Sequence, residues 1–274
     1  MKAHLLALAA AQPDPRARLN LVREYLQAHI LASLQTAGAF AALAFHGGTA
    51  LRVLHGLRRF SEDLDFSLER PAERLDLADL ARKAGRDLEL SGYAIEVTVR
   101  TAGAVHAAHV KFPGLLRDVG LTTDPRRKLA VRLDVDTRPP AGAVSEQRLV
   151  TRHFPIVFRA HDLASCMAGK LHALLTRGHA KGRDVYDLAW FMTHPARPEP
   201  NVEYLRNALR QTRWSGPDLG PDTWRRVLIE RLGALDWPAV VRDVEPFLED
   251  PRDMLLLDRD LISSELRSAD RGTA

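Results

Sequence analysis

The chain has 274 residues, 46% of them hydrophobic, with one cysteine and 39 Lys and Arg against 35 Asp and Glu. That length fits one large domain or two modest ones, and the apolar fraction suffices for a buried core. The net charge of +4 permits an anionic partner without requiring one, while the lone Cys166 rules out an internal disulfide and fits a reducing cytoplasm.

The opening Met1-Lys2-Ala3-His4-Leu5-Leu6-Ala7-Leu8 has the look of a secretory leader. Its apolar run is short, and Gln12-Pro13-Asp14-Pro15-Arg16 interrupts it without a cleavage site. No stretch is long and apolar enough to span a membrane. From Arg16 to Ala37, Leu19, Val22, Leu26, Ile30 and Leu34 recur at helical spacing. The run Ala41–Phe45 reads as a buried strand, and Gly47-Gly48 turns it into a short helix that stops at His55-Gly56. A second strand, Asp63–Leu68, follows. Pro71 starts a helix running to Leu90, with Leu75, Leu77, Leu80, Ala84 and Leu88 inward.

The period then changes to two. Tyr93–Arg100, Val105–Phe112 and Lys128–Asp136 are predicted strands, with loops at Pro113-Gly114 and Asp124-Pro125 and a stop at Pro139-Pro140. Beyond about Arg159 the pattern is helical throughout: His161–Arg177, Asp184–Met192, Val202–Gln211, Asp222–Leu232, Pro238–Phe247 and Arg252–Leu266, with a frayed tail from Ser268. The expectation is an α+β chain. Residues 1–160 form a mixed sheet flanked by helices, and residues 161–274 form an α-helical domain.

Two constellations carry chemistry. In the first, a strand turning through Gly47, Gly48 and Thr49 into a helix N-terminus aims backbone N–H groups and the helix dipole at an anion. On the next strand Asp63 and Asp65 share one face while Leu64 and Phe66 take the other. Two carboxylates there suit a divalent cation. The strand 128–136 adds Asp134 and Asp136 on a common face, either of which can serve as a third carboxylate. An Asp-x-Asp pair alone is as readily a solvated strand. In the second constellation, Lys170 and Arg177 share a helix face and offer a point charge and a fork to phosphates. Arg183 and Asp187 lie one turn apart on the next helix, where an ordinary ion pair is the plainer reading. Ser61 sits close before the aspartates, as an orienting group or a turn cap. Arg52 and Arg59 are further phosphate candidates, equally suited to packing. The histidines show no metal-ligand spacing, and the four tryptophans, all in the helical part, read as core.

Gly48-Thr49-Ala50-Leu51-Arg52 after Gly47, with Arg59-Phe60-Ser61-Glu62-Asp63-Leu64-Asp65-Phe66, resembles the first motif of the AbiEii/AbiGii toxin family within the DNA polymerase β-like nucleotidyltransferases. Thr49 stands where the superfamily has serine and keeps the hydroxyl. Lys170-Leu171 through Arg177, and Lys181-Gly182-Arg183-Asp184-Val185-Tyr186-Asp187-Leu188, resemble later motifs of the same family. The resemblance spans roughly residues 40 to 195. It implies metal binding (Mg²⁺ or Mn²⁺) by Asp63 and Asp65, with Asp134 as the third carboxylate and Asp136 as fallback. It also implies that Lys170 and either Asp184 or Asp187 join the active site, so that the helical domain contributes to the cleft. Gly47, Gly48, Thr49, Arg52, Ser61, Lys170, Arg177 and Arg183 are the expected nucleotide-binding residues. The implied activity is nucleotide transfer from a nucleoside triphosphate to a hydroxyl. By the same resemblance the expected acceptor is RNA such as a tRNA 3′ end, and the expected role is that of a cytoplasmic toxin of a toxin–antitoxin or phage-defence system with a cognate antitoxin protein. A non-catalytic module holding nucleotide or antitoxin, transfer to a protein or small molecule, and phosphohydrolysis stand as alternatives.

Overall fold

The computed structural model describes residues 1–69, 76–179 and 181–269. The expected helix start at Pro71 and the inward Leu75 lie outside them. The chain divides into two compact units: Met1–Gly56, Phe60–Pro139 and Ser145–Ala160 in the first, and Leu57–Arg59, Pro140–Val144 and the chain from His161 in the second.

The first unit opens with α1 (Lys2–Ala11) and α2 (Pro15–Thr36). Asp14 caps α2 by accepting from the Ala17 N–H at 2.7 Å, with Pro15 pre-set for the first turn. Strand β1 (Leu43–His46) runs directly into α3 (Gly47–His55), and Gly56, at φ 76°, closes that helix in the left-handed region. Then come β2 (Asp63–Leu68), α4 (Leu77–Leu90), β3 (Glu96–Arg100), β4 (Val105–Phe112), the short α5 (Leu115–Asp118), β5 (Leu129–Asp136), β6 (Ser145–Val150) and β7 (Ile156–His161). Together they make a seven-stranded sheet in the order β3-β4-β5-β2-β1-β7-β6. It is mixed: β2 lies antiparallel to β1 and parallel to β5, β1 lies parallel to β7, and β4 is antiparallel to both β3 and β5.

Strict alternation decides the faces. In β5, Leu129, Val131, Leu133 and Val135 are buried while Ala130, Arg132, Asp134 and Asp136 are not. The apolar face, with Leu64 and Phe66 of β2 and Val110 and Phe112 of β4, joins the core that also holds Leu26, Ile30 and Leu34 of α2 and Leu80, Ala84 and Leu88 of α4. Each large side chain so buried is worth roughly 1.5–3 kcal/mol. Phe45 lies 5.3 Å from Phe66 and 5.4 Å from Phe158, locking the central strands together.

The second unit is helical: α6 (Leu163–Thr176), α7 (Gly182–Thr193), α8 (Val202–Gln211), α9 (Trp224–Gly233), α10 (Trp237–Val244) and α11 (Arg259–Ala269). Pro246 converts the end expected for α10 into a 3₁₀ turn, Glu245–Phe247. The single helix expected over 252–266 is divided. A 3₁₀ segment, Pro251–Leu256, comes first, and then Asp258 caps α11 by accepting from the Asp260 and Leu261 N–H groups. No helix among the described residues is long and apolar enough to cross a membrane.

Candidate active site

The carboxylates of the first unit are brought together by strand register. Asp65 is the cross-strand partner of Asp134 in the parallel β2–β5 pair and of His46 in the β1–β2 pair. Asp63 stands opposite Arg132 on the same face. Asp136 lies one pleat farther on, opposite Ser67, and its carboxylate accepts from the Arg138 N–H at 2.9 Å, serving the turn that follows β5.

The glycine turn abuts this row. Gly47 has φ 79°, and no side chain caps the first turn of α3. A Cβ on Gly47 would overlap the Asp65 carboxylate, so only glycine lets the backbone approach that closely. The Thr49 hydroxyl is buried and donates to the Asp63 carbonyl at 2.5 Å, tying the helix to the start of β2. The first turn of α3 thus has no side-chain cap on its backbone N–H groups. The Ser61 carbonyl accepts from Gln27 Nε2 at 3.1 Å, which anchors the approach to β2. Arg52 is buried, paired with Glu24 and stacked 4.0 Å over the Phe60 ring, so it packs α3 against α2.

Charge in the row is unbalanced. Burial raises the Asp63 carboxyl above its ordinary value, and Asp65, Glu62 and Asp134 push it the same way, against a weaker pull from Arg132. Arg132 Nε donates to Asp134 Oδ1 at 2.8 Å. Asp134 thus has a partly exposed guanidinium as its counter-charge, while Asp63 feels mainly burial and its neighbouring carboxylates.

The second constellation folds into a buried ionic network within the second unit. Arg59 grips Asp187 with two hydrogen bonds of 2.6 Å each. Lys170 Nζ lies 2.8 Å from Asp187 Oδ2 and 3.1 Å from Asp184 Oδ1, and Arg177 pairs with the other Asp184 oxygen. Asp184 and Asp187, which sequence left as alternatives, are therefore both members. Burial works against the charges of Asp187, Arg59 and Lys170. The pairing outweighs it, holding Asp187 below and Arg59 and Lys170 above their ordinary values. Arg183 is directed elsewhere: its backbone N–H donates to Asp243 at 3.2 Å, and its guanidinium lies 4.2 Å from the Phe247 ring centre. Gly182 permits this, since a Cβ there would run into the Val240 backbone of α10.

Residues 29–259 match the family described as the nucleotidyl transferase AbiEii toxin of type IV toxin–antitoxin systems. The chain belongs to that family. Two solved Helicobacter pylori structures share the fold of this AbiEii nucleotidyltransferase. JHP933 is 20% identical with a TM-score of 0.53, covering 92% of this chain and 95% of its own. A candidate nucleotidyltransferase is 19% identical with a TM-score of 0.52, covering 91% and 96%. No curated protein matches the chain significantly.

The donor set of this AbiEii toxin fits the divalent ion that the family implies. Its oxygens are hard, anionic and mutually repelling. Among the described residues, no three carboxylate, imidazole or thiolate groups already converge as a closed cage. Mg²⁺ needs none, because it is held by one or two carboxylates together with substrate phosphates. Arg132 is the site residue that sequence reasoning passed over. Its signal was the period-two placement two residues before Asp134, which puts both on one face. Arg59, a weak candidate in the sequence, turned out to be the principal partner of Asp187.

Proposed function

We propose that this AbiEii nucleotidyltransferase uses Mg²⁺, or Mn²⁺, to transfer a nucleotide from a nucleoside triphosphate to an RNA hydroxyl, such as a tRNA 3′ end. The pairing of Asp65 with Asp134 in register, beside Asp63 and under the left-handed Gly47, carries this reading. The ion, when bound, supplies positive charge to the phosphates. Asp63 and Asp65 are the carboxylates that hold it, and the backbone N–H groups at Gly47 and Gly48 receive phosphate oxygens. Asp134 Oδ1 is engaged by Arg132, so Oδ2 is the atom that takes the proton of the attacking hydroxyl. That hydroxyl oxygen forms the new bond to the α-phosphorus as pyrophosphate departs.

In the helical unit, Asp184 and Asp187 hold Lys170, Arg177 and Arg59 in fixed positions. Three cations face two carboxylates, and the surplus positive charge suits a phosphate ligand. Biologically, the reading is of a cytoplasmic toxin restrained by a cognate antitoxin, acting in growth control or phage defence.

The test is incubation with tRNA, Mg²⁺ and each α-labelled nucleoside triphosphate in turn. Label in RNA supports the proposal. Intact nucleotide binding without label in any RNA, protein or small-molecule acceptor would leave a binding module. Phosphate or pyrophosphate release without label transfer would make the chain a hydrolase.

A further inference from the structure

The carboxylate row does not end at Asp134. Continuing across the sheet in register, Asp65 leads to Asp134, then Ala107, then Arg100, while Asp63 leads to Arg132, then His109, then Thr98. Lys111 stands one pleat beyond His109, opposite Ala130 and Glu96. Residues in register share a face, so all of these lie on the face that carries the carboxylates, away from the apolar core. β3 is the edge strand of the sheet.

The charges on this stretch differ from those elsewhere on the sheet. Lys128 is spent on Glu96 at 2.6 Å and Arg132 on Asp134. Among the described residues, the side chains of Arg100, His109 and Lys111 take part in no hydrogen bond or ion pair. Three donors are thus left uncommitted on a polar face that begins at the carboxylates. Strands lie about 4.8 Å apart, which puts Arg100 roughly 10 Å across the sheet from Asp134. That reach suits a chain with regularly spaced negative charges whose end lies at Asp134.

We propose that Arg100, His109 and Lys111 form a binding track for the acceptor RNA, gripping phosphates just behind the reacting hydroxyl. The proposal rests on the transferase reading for its direction, with the 3′ end toward Asp134. Its contact with RNA is independent of turnover. Charge complementarity selects a nucleic acid backbone over a protein: the track offers donors without an apolar patch to bury.

The experiment is fluorescence anisotropy with a 5′-labelled single-stranded RNA ending in CCA, titrated with the full chain at several salt concentrations. Arg100→Ala/Lys111→Ala is expected to weaken binding at least 10-fold and to flatten the slope of log K against log salt by about 1.4, since each single-strand phosphate contact contributes about 0.7. Nucleoside triphosphate affinity, measured separately, is expected to stay unchanged. Both residues are on solvent-accessible positions, and an unaltered melting temperature checks the fold. Arg100→Lys should retain most of the affinity. RNA binding unchanged in affinity and salt slope overturns the track, whether or not the wild-type chain transfers label. Lost RNA binding in a chain that also fails every transfer assay would retain the track and discard the transferase reading.

Discussion

Replacing Gly47 by alanine separates two costs that the structure places at one residue. The first is backbone: an L-residue in the left-handed region costs about 1–2 kcal/mol. Gly56 reports that cost alone, because its φ of 76° nearly equals the 79° of Gly47, and nothing lies within 4 Å of where its Cβ would go. The second is contact: at Gly47 the new Cβ meets the Asp65 carboxylate, whose Cβ and Cγ would both lie 3.0 Å away. Asp65 must swing off its rotamer, at about 0.5–1.5 kcal/mol. Gly47→Ala should therefore lose roughly 1.5–3.5 kcal/mol in urea unfolding followed by circular dichroism, against roughly 1–2 for Gly56→Ala. Activity should diverge further. A displacement of about 1 Å in a positioning group can cost on the order of 100-fold in rate, so Gly47→Ala should lose label transfer about that strongly. Gly56→Ala should keep it once the folded fraction is counted. Equal stability and equal activity in the two variants would refute the argument that Gly47 exists to admit Asp65.

Asp65→Ala should abolish nucleotide transfer with the fold intact by circular dichroism, and full activity in that variant would remove Asp65 from the chemistry. Asp187→Ala leaves Arg59 and Lys170 buried without their shared carboxylate and should cost about 3–5 kcal/mol in urea unfolding; a loss below 1 kcal/mol would contradict the network. Glu24 predicts a pH dependence: burial raises its carboxyl, but His153, Arg52 and Arg152 outweigh that and hold it at about 2, from an ordinary 4.5. Because the folded value is the lower one, its contribution is fully present above pH 4.5 and is lost as pH falls toward 2. At about 1.4 kcal/mol per unit the loss approaches roughly 3.5 kcal/mol, and Glu24→Gln should flatten that acid limb of the stability curve.

The sheet strands with strict alternation were legible in the sequence, and the 128–136 strand was legible almost residue by residue. The family motifs identified the nucleotidyltransferase. Other features were hidden for identifiable reasons. Helix α1 sits in a stretch whose apolar run reads as leader chemistry, although its leucines and alanines are strong helix formers. Strand β6 has Glu146, Gln147 and Arg148 where alternation would show, as suits an edge strand guarded against further pairing. The choice between Asp134 and Asp136 as the neighbour of Asp65 is a matter of register, which depends on which strands pair and where. The 128–136 strand offers both on one face, and only the parallel pairing with β2 sets Asp134 beside Asp65. Arg59 shows the same limit in another form: nothing within Arg59-Phe60-Ser61 announces a partner 128 residues away.

The two constellations contain the same residue types, and the difference in their charge balance separates their roles. In the helical unit each carboxylate is shared by two cations at hydrogen-bonding range, and Asp187 is wholly buried. The geometry of such a network is set by pairing, and removing one member exposes the others to uncompensated burial. The sheet face differs: Asp134 is paired with the partly exposed Arg132, and Asp63 is pushed toward the protonated form by burial and by its own neighbours. A folded chain keeps such an arrangement only at a cost, and a divalent cation with phosphate oxygens would relieve it. The direction of the Asp63 shift and the depressed Asp187 thus lead to one division of labour. The helical network fixes lysine and arginine in place, whereas the carboxylates on the sheet are set side by side against their own repulsion.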